Sequence, residues 1–386
     1  DGVSDELRRN VDIVIDGNRI VRVDAHDADL HRGRVVDASD GVVSPGLIEM
    51  HTHGGLSSGE QLGRLWLSYG VTTIRTPAAD AYQVSEARES IAIGRRLGPR
   101  VFGTGSPVDG SRIYYDGGGG LASSAQVELV LEQAGAMPYD VVKTYVRLSD
   151  AMQRRVIREA HAMGIPVTSH ELYPAVANGA DGVEHVQGTS RRGYSTKVSS
   201  LSRSYQDVVE LLARSGMTIT PTVGIYGSFG VLAADDATLL DDPRIPVFFG
   251  DSINRGRARG DLDTQRRMVS DMASLGRRVV VAGGVVVMGT DSPIIPQGLS
   301  LIAEMEAMVR YGGMSAGDVM RATTSVSAEA LGYETEFGRV RPGMLADLVV
   351  FAGDPLSDIR NVRDVRVVVK DGRVYDLETL LEGPAG

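Results

Sequence analysis

The sequence predicts an α/β fold, a distorted (β/α)8 TIM barrel carrying a small β-sandwich built from both chain ends. Three observations predict it. Short apolar runs alternate eight times with helix-like segments through the middle of the chain, the order of a parallel barrel. Both ends hold paired β-branched runs joined by Asp-Gly. Histidines and single charged residues sit where the central runs stop. The expected division is residues 1–46 for the N-terminal part of the sandwich, 47–337 for the barrel, and 338–386 for the rest of the sandwich and a tail.

The end segments are VDIVIDGNRIVRV from Val11 and VRVVVKDGRVY from Val365. Asp16-Gly17 and Asp371-Gly372 supply the positive φ that a tight hairpin turn requires. ADLVVFAGDP from Ala346 reads as a further strand. The alternative is two independent hairpins packed on the barrel. The eight central runs are GLIEMHTH, TTIRTP, RVFGTG, DVVKTYV, IPVTSH, GVEHV, MTITPTV and VVVMGTDSP. Between the fourth and fifth, Ser149 reads as an N-cap and Gly164 as a stop. Two stretches interrupt the rhythm: a Gly-rich loop from Ser111 to Ser124, and a long insertion from Gly224 to about Gly260. Loops that follow barrel strands face the active site, so each is either a substrate-contacting element or plain surface.

Composition narrows the function classes. The chain has 386 residues, a net charge of −10 and 42% hydrophobic residues. An acidic chain without basic blocks argues against nucleic acid or an anionic membrane as partner. No apolar run of membrane-spanning length occurs. Cysteine is absent, so no disulfide or Cys-metal framework exists. A small molecule or short peptide is the expected substrate, and a cytoplasmic location is expected over secretion. The first residue is Asp1, so a missing N-terminal domain is an open expectation, as is a homo-oligomer.

The chemistry lies at the strand ends. His51 and His53 are two apart, so a strand directs both to one face, where they can reach one metal. Lys143 lies in DVVKTYV, and burying its cation is costly. Either it points outward between helices or it reacts with carbon dioxide to give an anionic carbamate able to bridge two cations. His170 ends IPVTSH and His185 follows GVE; both face one site or serve as structural histidines. Asp291 follows an apolar run and needs a partner, a metal or an arginine. Beside a metal it would pass a proton to the leaving group. Tyr145 and Tyr226 are candidate donors to an oxyanion. Arg75 reads as an ion-pair partner before a substrate ligand. His161 reads as a helix residue, and His26 and His31 as surface residues.

With these residues in hand, the chain resembles the amidohydrolase superfamily, near its imidazolonepropionase-like and Xaa-Pro dipeptidase-like branch. The segments that carry the likeness are SPGLIEMHTHGG, GVTTIRT, DVVKTYV, GIPVTSHE, GADGVEH, GVVVMGTDSP and RVRPGMLADLVVFAGDPL. It departs from the pattern at Thr76, where Asp is common, at Ile302, where His is common, and near Gly117, which lacks a Gly-His pair. The resemblance implies a binuclear metal centre, zinc being the usual ion. His51, His53 and Asp291 would hold one cation and His170 and His185 the other, with carboxylated Lys143 between them. It implies hydrolysis of an amide-type C–N bond, in a peptide or cyclic amide, by a metal-bridging hydroxide with Asp291 as proton shuttle. Alternatives on the same frame are a lactone or phosphoester hydrolase and a non-catalytic scaffold.

Overall fold

The computed structural model describes residues 1–54, 59–115, 117–137, 139–186, 206–256 and 260–382. It opens with an antiparallel hairpin, β1 (Val11–Asp16) and β2 (Arg19–Ala25). The Asp-Gly expectation shifts by one residue here. Asp16 pairs with Arg19, so the turn is Gly17-Asn18, and a register shift at Val14/Ile15 accompanies it. β3 (Val42–Pro45) follows.

A three-stranded parallel sheet comes next, of β4 (Leu47–Glu49), β5 (Val71–Thr76) and β6 (Arg100–Gly103). All six residues of β5 are buried, as expected of a parallel strand covered on both faces. A second, seven-stranded parallel sheet runs β13-β12-β11-β10-β9-β7-β8. Its members are β7 (Val108–Gly110), β8 (Gly119–Leu121), β9 (Val142–Thr144), β10 (Val167–Ser169), β11 (Gly182–Glu184), β12 (Thr218–Thr220) and β13 (Val285–Val286). Every one of the eight central runs therefore contains a strand. The Gly-rich stretch contributes β8, paired with β7. The insertion after β12 is helical, with helices Ser228–Asp235 and Arg244–Phe248 and 3-10 turns around them.

Backbone hydrogen bonds join the edges of the two sheets. Met50 donates to the Met288 carbonyl at 2.8 Å, and Asp140 donates to the Gly103 carbonyl at 3.0 Å. Beyond β4 and β13 the chains continue side by side through a parallel bridge, Thr52 to Ser292.

The last strands, β14 (Leu348–Phe351), β15 (Val365–Lys370) and β16 (Arg373–Asp376), form an antiparallel sheet with β3 in the order β16-β15-β14-β3. Here the turn is the expected Asp371-Gly372, with φ of 49° and 77°. Ile20 of the hairpin clusters with Val340, Met344, Leu348 and Val369, so both chain ends share one apolar core.

The helices cover the sheets by their apolar faces. In Asp150–Ala162, Gln153, Val156, Ile157 and Ala160 are buried, the i, i+3, i+4, i+7 pattern of one helical face. The Ser149 side chain caps it by accepting from the Met152 N–H, worth about 1 kcal/mol. β4 shows how the sheet sorts its residues. Ile48 and Met50 pack with Phe102, Val287, Ala328 and Phe337. Glu49 and His51 alternate with them and reach the opposite face, where the polar site lies.

Candidate metal centre

The strand ends bring four of the expected residues into direct contact. Nε2 of His51 lies 3.1 Å from Nε2 of His53 and 3.4 Å from Oδ1 of Asp291. His53 Nε2 is 3.0 Å from the same oxygen, and His185 Nε2 is 3.9 Å from Oδ2. One donor atom each from His51, His185 and Asp291 falls within a mutual 4.8 Å. Ligands about 2.0–2.1 Å from a tetrahedral cation stand roughly 3.3 Å apart, which is close to these separations. His170 extends the group: its ring centroid is 4.6 Å from that of His185 and 4.6 Å from that of Tyr145.

The rear nitrogens of three imidazoles are engaged, which aims the others inward. Nδ1 of His51 donates to Glu184 Oε2 at 2.5 Å. Nδ1 of His53 donates to the Ala78 carbonyl at 3.2 Å, and Nδ1 of His185 pairs with the Thr222 hydroxyl at 2.7 Å. Such outer contacts fix tautomer and ring orientation in metal-ligating histidines. Glu184 also accepts from Arg75 Nη2 at 2.6 Å and from the Thr168 hydroxyl at 2.5 Å. Arg75 is thus an internal ion-pair partner, its Nε donating to the Met50 carbonyl at 2.6 Å.

Two further carboxylates hold the frame. Glu49 accepts from the N–H groups of His51 and Thr290 at 3.0 and 2.9 Å, tying the end of β4 to the segment before Asp291. Glu304, on the helix Leu299–Arg310, accepts from the N–H groups of Val223 and Gly224 at 2.6 and 2.7 Å. It thereby steadies the turn that carries Thr222. Neither carboxylate, nor Glu184 or Thr222, was singled out from sequence. A clue existed for Glu49 and Glu184: each is a lone acid in an apolar strand, adjacent to or two residues from a histidine.

Local backbone is strained where the site is built. His185, Thr222 and Asp291 have φ of 73°, 52° and 61°, a left-handed conformation that costs an L-residue roughly 1–2 kcal/mol. Between the strands, Gly289 leaves no room for a side chain: a Cβ there would sit 2.7 Å from the His51 Cβ and 2.5 Å from the Thr220 methyl.

Electrostatics agree with the geometry. Burial drives the imidazoles of His53, His170 and His185 toward the neutral form that ligates metals, His170 down to about 3. Burial opposes ionisation of Asp291, but His51, His53 and His185 outweigh it and hold the carboxyl well below the usual range. The same balance, with Arg75 and His51, keeps Glu184 ionised despite burial. Lys143 is buried and on β9, in register with Thr168. Burial lowers its pKa, against the opposing pull of Glu184 and Asp291. Among the described residues, nothing hydrogen-bonds or ion-pairs with its amine, whose nitrogen lies 5.6 Å from the Tyr145 ring centre.

Tyr145 lies just past β9 with Tyr114 and Tyr115, at ring separations of 5.9 and 5.5 Å. Tyr226 ends the 3-10 turn after β12 and packs, partly buried, against the main apolar core. His161 sits in the last turn of its helix, bonded to Asp181 at 2.8 Å. His26 and His31 lie at the surface, as expected, and both contact Asp12.

Comparison with known proteins gives the context. The amidohydrolase family model matches residues 42–375. No curated protein matches the sequence. Among solved structures, the chain is similar to a Xaa-Pro dipeptidase with methionine bound in its active site, at TM-score 0.72 and 22% identity over 97% of each chain. It is similar to a prolidase complexed with N-methylphosphonate-L-proline, at TM-score 0.69 and 20% identity over 94% of each chain. It is also similar to the bottromycin amidohydrolase, at TM-score 0.74 and 20% identity over 98% of this chain and 86% of that one. With the family match running through almost the whole described fold, this chain belongs to the amidohydrolase family and is an enzyme of that hydrolytic kind.

Proposed function

We propose that the chain is a metal-dependent hydrolase of amide-type C–N bonds, in short peptides or cyclic amides. The carrying observation is the convergence of His51, His53, His185 and Asp291 with rear nitrogens already occupied. The donor set suits a divalent cation, because three imidazoles and an ionised carboxylate bring their donor atoms together. His51, His53 and Asp291 would hold one ion, and His170 and His185 a second. Lys143 would lie between them as a carbamate: burial disfavours its ammonium form, and the neutral amine is the form that adds to carbon dioxide. Two divalent cations, zinc by family habit, would supply Lewis acidity to the scissile carbonyl and acidify the attacking water.

The remaining steps belong to the chain. Asp291, ionised and touching three imidazoles, accepts the proton of the attacking water and delivers it to the leaving nitrogen. Tyr145, its hydroxyl kept protonated by burial and by Tyr115, is the donor to the developing oxyanion. Tyr114 and Tyr115 offer an aromatic wall to an apolar substrate group. The frame we infer is one distorted barrel, 47–337, closed through the Met50–Met288 and Gly103–Asp140 bonds. A sandwich of the end segments, 1–46 and 338–386, rests on their shared core.

Lys143→Ala tests the reading. It should lose one equivalent of bound metal and hydrolysis of Xaa-Pro dipeptides, with partial recovery in added short carboxylates. Unchanged metal content and turnover would refute the bridging role. A panel of lactones and phosphotriesters, turned over faster than any amide, would overturn the C–N assignment.

A further inference from the structure

A second histidine–carboxylate group lies on the N-terminal hairpin. Asp12 projects from β1, His26 follows the end of β2, and His31 follows the single 3-10 turn Ala28–Leu30. His26 Nδ1 lies 2.9 Å from Asp12 Oδ1, and His31 Nε2 lies 3.1 Å from Oδ2. One donor atom from each residue falls within a mutual 4.8 Å. The loop is organised around this point. The Asp27 N–H donates to Asp12 Oδ2 at 2.9 Å, the His26 N–H to the Asn10 carbonyl at 2.9 Å, and the Asp29 N–H to the Asp27 carboxylate at 3.1 Å.

We propose that Asp12, His26 and His31 form a binding site for a divalent transition cation of the zinc type, separate from the central cluster. The 2.9 and 3.1 Å separations, each to a different carboxylate oxygen, are within a few tenths of an ångström of the roughly 3.3 Å ligand spacing of a tetrahedral ion, and one ligand atom from each of the three residues lies within 4.8 Å of the other two. Two imidazoles and one carboxylate select zinc, nickel or copper over calcium or magnesium, which take oxygen ligands. The side chains are 23–44% exposed, so an ion enters freely and water completes its shell. The role is a staple. β1 and β2 pair only with each other among the described strands and roof a cleft of about 2290 Å³, which Asp12, His26 and His31 help to line. The hairpin is anchored near its turn by the Arg19–Leu345 bridge and the Ile20–Met344 hydrogen bond, and an ion joining Asp12 to the segment after β2 fastens its opposite end.

The full chain, stripped with a chelator and reloaded with zinc alone, is compared with His26→Ala/His31→Ala and with Asp12→Asn. Each variant should bind one zinc fewer per chain, and zinc should raise the thermal midpoint less than in the parent. The difference reads this site whether or not the central cluster takes metal. Asp12→Asn keeps an acceptor for the Asp27 N–H and so carries the comparison if the double variant fails to fold. Anomalous diffraction at the zinc edge, on the unmutated chain, should show a peak among the three residues. Equal zinc content in parent and folded variants, or no such peak at saturating zinc, overturns the site and leaves a hydrogen-bonded His–Asp–His latch.

Discussion

The chain builds two clusters of histidine around an aspartate, and they differ in what stands behind them. In the central one, Glu184, the Ala78 carbonyl and Thr222 hold the rear of each of three imidazoles. Glu184 is itself pinned by Arg75 and Thr168. On the hairpin, among the described residues, one carboxylate and local backbone bonds do the arranging. Rings braced from behind keep one orientation through a reaction cycle. Rings that share only a carboxylate can hold an ion but do not impose a geometry on chemistry. The contrast fits the proposed division, turnover at the first cluster and fastening at the second.

The largest effect should come from Asp291→Asn, which keeps the shape and removes the proposed proton acceptor. A fall in kcat of roughly 10²–10⁴-fold is expected, with the fold intact by circular dichroism. Next is Glu184→Gln, which strikes the bracing. Metal affinity should drop about 10–100-fold, read by competition with a chelator. The thermal midpoint should also fall, because the Arg75 guanidinium is left buried without its counter-charge. A Glu184→Gln protein with unchanged affinity would erase the distinction between the clusters.

Glu304 gives a subtler handle through pH. Burial pushes its carboxyl up to about 8, above the unfolded value near 4.5. Its contribution to stability is therefore complete below about pH 4.5 and is lost as pH rises toward 8. The thermal midpoint of the parent should decline more steeply over that window than that of Glu304→Gln, whatever constant offset the amide introduces. Equal slopes would place ionisation of Glu304 outside this window. The smallest effect belongs to His26→Ala/His31→Ala, for which hydrolysis should stay within about twofold of the parent at fixed zinc, as expected for a surface change.

Much of this architecture was legible because strands announce their ends. The runs finishing at His51, His170, His185 and near Asp291 read as barrel strands from local pattern alone, and each contains one. Partners were harder, because they lie far along the chain. His51 meets Glu184 across 133 positions, and Glu49 meets Thr290 across 241. Strand alternation says which face a side chain takes, not what faces it. The hairpin cluster escaped notice because Asp12 reads as an ordinary exposed strand residue, and only the returning loop carries His26 and His31 back to it. The N-terminal turn missed by one residue because a shift within β1 re-registers the hairpin, which a dipeptide signal does not report.

The left-handed backbone at His185, Thr222 and Asp291 has an evolutionary consequence. Glycine or asparagine would relax each position, so selection for heat resistance and selection for catalysis pull these codons in opposite directions. A thermally adapted form that kept these three residues would have to find its stability elsewhere in the molecule.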